Sequence, residues 1–250
     1  MGGLRHLTGE PGRVPVRVGV SIGDTLAGLH GVIGVLMALR HREVNGGTGQ
    51  VIDVALYESV FNVMESLLPE YDAFGVVRGP AGSALPGIAP SNAYRCADEA
   101  YVLVAGNGDS IFRRLMRAIG RADLEADPGL AHNEGRVARV AEIDAAIGAW
   151  TAARPITEVI TTLESAGVPA GRIYTVADIA TDPQYLARDM IVQTCDVDGR
   201  PLKVPGIVPK LSGTPGRLRT PAPRLGQHTQ AVLGQAGWPT RAANDDEAAG

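Results

Sequence analysis

Apolar side chains at Leu26, Leu29, Val32, Ile33, Leu36, Met37 and Leu39 recur at intervals of three and four, which lines them along one side of an α-helix. This helix is expected to begin after Gly23-Asp24 and to end near Arg40-His41-Arg42, whose charges suit the negative end of a helix dipole. Before it, residues 1–15 are rich in Gly and Pro and predict an extended lead-in with no core of its own. Residues 16–22 predict a short approach strand or turn. After it, Gly46, Gly47 and Gly49 break the chain, residues 50–55 predict a strand, and a second helix is expected over about 57–71.

Between Gly75 and Pro90 the breakers Gly79, Pro80, Gly82, Pro86 and Gly87 leave no room for a regular element. Beyond them, residues 92–96 and 101–105 predict a hairpin turning at Ala97-Asp98-Glu99. Helical spacing returns over 110–119, 136–153 and 156–166, a strand is expected over 169–174, and short helices over 176–180 and 183–189. Residues 190–197 and 201–205 predict a second hairpin turning at Asp198-Gly199. A short helix is expected over 229–233 and a disordered tail over 244–250. There is no repeat of fixed period, and the mixture of helices and strands predicts an α/β protein.

With 250 residues, 45% hydrophobic and 20% charged, the chain can bury a sizeable core as one large domain or two small ones, an ordinary soluble composition. A net charge of −4 argues against nucleic acid as a partner, because neutralising phosphates takes clustered Lys and Arg. Cys96 and Cys195 lack zinc-type spacing and suggest neither a metal site nor a disulfide framework, which fits a reducing cytoplasm. No secretory signal is evident, and no stretch is expected to approach the ~20 apolar residues that span a bilayer, so no membrane partner is expected. The histidines His6, His30, His41, His132 and His228 stand apart, so no metal is expected, and Trp150 and Trp238 read as packing groups.

Asp24 carries the candidate chemistry. An Asp directly before a helix can cap an orphan backbone N–H, worth about 1 kcal/mol. The same placement suits a nucleophile: an aspartate is ionised at neutral pH, and Gly23 and Gly28 leave space for a substrate carbonyl to approach. Gly28, Gly31 and Gly34 form a stripe costing about 1 kcal/mol per Gly relative to Ala, which implies another backbone packed against that side. No phosphate-binding GxxxxGK[ST], no strand-to-helix GxGxxG and no GxSxG is present, and six residues of helix separate Asp24 from His30 onto different faces.

Four segments in order carry a resemblance: GGLRHLTGEPGRVPVRVGVSIGDTLAGLHG over 2–31, GTGQVIDVALYESV over 47–60, AYRCADEAYVLVAGNGDSIFRRLMRAIG over 93–120 and PRLGQHT over 223–229. Together they resemble the class III (CaiB/BaiF-type) coenzyme A transferase family over nearly the whole chain. The resemblance implies a class III CoA-transferase fold, with part of a Rossmann-like large domain plus a small α+β domain. The family's G-D-x-x-x-G-x-H segment falls on Gly23 to His30, which makes Asp24 the implied nucleophile. It would form a mixed anhydride with the donor acyl group, then an aspartyl-CoA thioester, with coenzyme A thioester as substrate and no permanently bound cofactor.

The family's glycine loop, which closes over the site to exclude water, falls on residues 79–87, implying substrate-binding roles for Gly79, Gly82 and Gly87. Here RGPAGSALPG has isolated glycines where the family pattern has a run. By the same resemblance, residues 1–75 are the nucleophile-bearing part of the large domain and 76–205 a linker and small domain, with 206–250 returning to the large domain. An N-terminal Rossmann-like half is expected to be missing ahead of residue 1. The implied partners are an acyl-CoA, a carboxylic acid, and either an interlocked homodimer or a separate N-terminal half. A 2-methylacyl-CoA racemase of the same family, or an inactive fragment or subunit, are the alternatives.

Overall fold

The computed structural model describes residues 2–237; Trp238 and the tail over 244–250 lie outside the described residues. The chain divides into two compact units, Met1–Ile173 and Tyr174–Gly250, a division that falls within the 76–205 segment expected to hold a linker and small domain.

The first unit begins with α1 (Leu4–Leu7), α2 (Ile22–Val44), α3 (Leu56–Phe61) and α4 (Leu67–Phe74). It continues with β1 (Ser91–Arg95), β2 (Tyr101–Ala105), α5 (Asp109–Ala118), α6 (Ala122–Glu125), a 3-10 turn at Pro128–Leu130, α7 (Asn133–Ala138), α8 (Val140–Ala152), α9 (Ile156–Ser165) and β3 (Ala170–Arg172). The strands form one antiparallel sheet in the order β1-β2-β3, with Ser91 opposite Ala105 and Val102 opposite Arg172. Alternation along β2 sends Val102 and Val104 inward and leaves Tyr101 and Leu103 exposed. The inward side chains meet Phe112, Leu115 and Met116 of α5, Ile143 and Ile147 of α8, and Val159 and Leu163 of α9 in a single core.

One charge sits inside this core. Arg136 is fully buried, and all five of its N–H groups are used. They donate to the carbonyls of Ala89 (3.0 Å), Leu130 (3.1 Å), Ala131 (3.2 Å) and Asn107 (2.6 Å) and to Asp109 Oδ1 (2.8 Å). Its guanidinium also lies 5.1 Å from the centre of the Phe112 ring. The guanidinium and His132 hold the Asp109 carboxyl below the usual range.

The second unit contains α10 (Val176–Ile179), α11 (Pro183–Ala187), a hairpin of β4 (Ile191–Cys195) and β5 (Pro201–Pro205), and α12 (Thr229–Gln235). Thr175 and Asp178 form a reciprocal capping box at the start of α10.

Both expected hairpins and the strand over 170–172 form, while several expectations fail for identifiable reasons. The lead-in contains a helical turn, α1, entered through Gly2 and Gly3 at positive φ. Residues 50–55 are extended but pair with no strand among the described residues, so no ladder forms. The helix over 57–71 is split into α3 and α4 around Glu65, whose φ of 52° is left-handed. The helix over 136–153 is likewise divided at Arg139, which leaves helical geometry and pairs with Asp127 and Glu142.

Helix α2 departs furthest from expectation. At 23 residues and a mean hydropathy of 1.6 it is long and apolar enough to cross a membrane, against the expectation that no stretch would be. None of its residues is buried: Leu36 is 61% and Met37 67% exposed. Exposed apolar groups continue through Phe61, Tyr71, Phe74 and Val77.

Tyr94 gives a pH test of the core. It is 5% exposed and its hydroxyl donates to Asp144 Oδ1 at 2.6 Å, while Asn92 Nδ2 donates to Oδ2 at 2.9 Å. Burial, then the hydrogen bond to Asp144, raises the phenol above its ordinary value of 10. A folded-state pKa above the unfolded one gives stability that is complete below pH 10 and lost as pH rises beyond it. Urea titrations at about pH 9 and about pH 11 should therefore show a larger loss for the wild type than for Tyr94→Phe. Equal losses would remove Tyr94 from the alkaline limb.

Candidate active site

The first intrahelical bond of α2 runs from the Thr25 N–H to the Ser21 carbonyl (3.1 Å), and the Thr25 hydroxyl donates to the same carbonyl (3.1 Å). The helix thus begins at Ile22, with Ser21 at the cap, three residues earlier than the sequence suggests. Asp24 is the third helical residue and not the cap. Its carboxylate is exposed and accepts no hydrogen bond among the described residues, so capping does not account for it.

Val60 of α3 fixes where this helix start lies. A Cβ on Gly2 would come within 2.9 Å of Val60 Cβ, and one on Gly23 within 3.4 Å of Val60 Cγ2. The nearly buried valine is therefore wedged against both glycines. Ser59, also buried, donates from Oγ to the Ala55 carbonyl at 3.0 Å and ties α3 to the extended segment before it. His30 serves the same packing: Nδ1 donates to the Leu26 carbonyl at 2.8 Å, and Nε2 lies 3.3 Å from the side-chain amide of Asn62.

Asp24 opens into a recess of about 240 Å³. Its wall includes Leu4, Val18 and Val60 and two cations, Arg5 and Arg17. Sequence reasoning did not single out these arginines, because neither has a helical or strand spacing to Asp24. The only sequence sign of their approach is the Gly- and Pro-rich stretch between them, which permits the chain to double back.

The glycine-stripe expectation holds at one position of three. At Gly34 a Cβ would meet Ile52 Cγ2 at 2.9 Å, while Gly28 and Gly31 face open space. The candidate loop glycines lie outside the Asp24 recess. Gly79 and Gly82 line a neighbouring one of about 250 Å³, with Leu4 as a shared wall. The Gly82 N–H donates to the Gly9 carbonyl (2.9 Å), and the Gly87 carbonyl accepts from Asn133 Nδ2 (2.9 Å). A third recess of about 550 Å³, walled by Tyr57, Phe61, Met64, Leu68 and Tyr71, does not include Asp24. Among the described residues no group of His, Cys, Asp and Glu is placed to hold a metal.

The Asp24 helix and the antiparallel sheet with its packed helices make a mixed helix-and-sheet protein. CoA-transferase family III matches residues 1–229, and the chain belongs to that family. It is 42% identical to the succinyl-CoA–D-citramalate CoA-transferase of Chloroflexus aurantiacus over 233 residues, covering 93% of this chain and 58% of that protein. It is 36% identical to the beta subunit of the succinyl-CoA–L-malate CoA-transferase of the same organism, again covering 93% and 58%. The fold matches the crystal structure of a CaiB/BaiF family protein from Brucella suis at a TM-score of 0.77 and 34% identity, covering 94% of this chain and 60% of that one. The chain therefore spans about 58% of the length of these curated relatives.

The loop glycines differ in what a side chain would meet. Gly82 has φ of 64° and a Cβ there would lie 2.7 Å from Glu10 Oε2, whereas Gly79 has open space around it. Gly82→Ala should speed amide exchange over residues 79–85 by about fivefold, the equivalent of ~1 kcal/mol of left-handed strain, and Gly79→Ala should not. Equal exchange in the two variants would show that the turn at Gly82 is not held as described.

Proposed function

We propose that the protein transfers coenzyme A from an acyl-CoA donor to a carboxylic acid acceptor, with Asp24 as the nucleophile. The observation that carries this reading is an exposed carboxylate, free of hydrogen bonds among the described residues, at the head of α2 in a chain of CoA-transferase family III. A carboxylate oxygen of Asp24 attacks the thioester carbonyl carbon; the C–S bond breaks, leaving a mixed anhydride and CoA thiolate. The thiolate then attacks the aspartyl carbonyl carbon, releases the donor acid as its carboxylate and forms an aspartyl-CoA thioester. An acceptor carboxylate repeats the two steps in reverse order and leaves as the new acyl-CoA, with Asp24 restored.

The relatives named above use succinyl-CoA with D-citramalate or L-malate, and we extend dicarboxylic acids to this chain as its substrate class. Anhydrides hydrolyse readily, so this chemistry needs a covered site. The 79–87 loop is one candidate cover. The other is protein packed on the apolar surface of α2, α3 and α4, supplied by a length of chain such as the relatives carry beyond this one, in a homodimer or as a separate N-terminal partner. Pairing is consistent with the subunit composition in the relative's name. It also gives the apolar length of α2 a protein neighbour instead of a bilayer.

Asp24→Asn keeps the side-chain shape and removes the nucleophilic oxygen. In a form of the protein that turns over acyl-CoA, this variant should lose about 10⁴-fold or more in kcat while CoA binding persists. Turnover within a factor of a few of wild type would refute Asp24 as nucleophile.

A further inference from the structure

Arg5 lies in the single turn of α1, and Arg17 follows the excursion over residues 9–15. Thr8 Oγ1 donates to the Leu4 carbonyl at 2.9 Å, and the Val16 N–H donates to the Thr8 carbonyl at 2.9 Å. These bonds bring the excursion back beside its start, so that Arg17 and Arg5 share the wall of the Asp24 recess. Both side chains are exposed, and neither guanidinium forms an ion pair or hydrogen bond among the described residues. Two cations without an ion-pair partner among the described residues and one carboxylate thus line the same recess. Leu4, Val18 and Val60 supply an apolar surface along which a short methylene chain fits.

We propose that Arg5 and Arg17 bind the remote carboxylate of a dicarboxylic acyl group whose thioester end meets Asp24, making the recess selective for dianionic acids. The assignment of the thioester end rests on the transferase reading of Asp24; the anion site itself rests on the arginines. A guanidinium presents a planar fork matched to the two oxygens of a carboxylate, and it keeps its charge across the working pH range. The competing anions are the phosphates of CoA. They are held away from the thioester by the whole pantetheine arm, whereas Asp24 and both arginines line one recess of about 240 Å³. That volume suits a four-carbon acyl group better than a nucleotide, whose sites are larger.

Binding of monomethyl succinate and of methyl butyrate to the chain, measured by calorimetry or NMR titration, tests the proposal without requiring turnover. The two esters share the neutral end that stands in for the thioester and differ in the remote carboxylate. Wild type should bind monomethyl succinate at least tenfold more tightly than methyl butyrate. The Arg5→Gln/Arg17→Gln double variant should lose that preference, and Arg13→Gln, which removes the same charge outside the recess, should retain it. Asp24→Asn should bind monomethyl succinate at least as well as wild type, since it removes a negative charge from the recess.

A wild-type preference below tenfold, a preference intact in the double variant, or one lost equally in Arg13→Gln would each overturn the proposal. Adenosine 3′,5′-bisphosphate, bound through the same two arginines in competition with monomethyl succinate, would assign the site to CoA phosphate and also overturn it. The transferase reading fails separately. If monomethyl succinate binds through the arginines but no acyl-CoA ever acylates Asp24, the anion site stands and the nucleophile does not.

Discussion

Burial of apolar surface in this chain is confined almost entirely to residues 94–168, and that distribution governs everything else. The sheet β1-β2-β3 and helices α5, α8 and α9 close a core around fully buried Val102, Leu115, Ile143, Ile147, Val159 and Leu163. Arg136 joins this core to the segment that precedes it by donating to the Ala89 carbonyl. Removing its side chain would leave several buried carbonyls without donors, the kind of loss that costs a few kcal/mol. The helix bearing Asp24 has no comparable support: Val60, wedged against Gly2 and Gly23, is its closest approach to a core.

The same imbalance explains which parts of the fold could be read from the residues alone. Elements that satisfy themselves locally were foreseeable. The hairpin at 91–105 has alternating valines and a turn, and α5 and α9 carry helical spacing ahead of glycines. Elements that depend on a distant neighbour were not. Residues 50–55 have strand composition but no strand to pair with among the described residues, and the glycine stripe of α2 meets a neighbour only at Gly34. The break between α3 and α4 turns on the single left-handed residue Glu65, which no periodicity announces.

Asp24 was accessible through the ordered motifs, and its position inside the first turn of α2 sets aside the N-cap role that spacing allowed. With the cap at Ser21, the carboxylate has no backbone duty among the described residues and remains available for chemistry. Arg5 and Arg17 were hidden because their approach depends on two hydrogen bonds around Thr8 and not on any repeat. Gly79, Gly82 and Gly87 have the glycine content expected of a closing loop, yet Gly82 and Gly87 are tied to Gly9 and Asn133, and the loop lines a recess beside that of Asp24. Bringing that loop over Asp24 takes a movement, a further piece of protein, or both.

The central claim is covalent: the Asp24 carboxyl becomes an acyl derivative during turnover. Borohydride reduces an aspartyl thioester to homoserine, lowering the residue mass by about 14 Da. Peptide mass spectrometry after borohydride treatment of the turning-over protein reads this directly. The account predicts that shift on the peptide containing Asp24, dependent on acyl-CoA. Turnover with Asp24 unmodified, or with the shift on another acid, would contradict it.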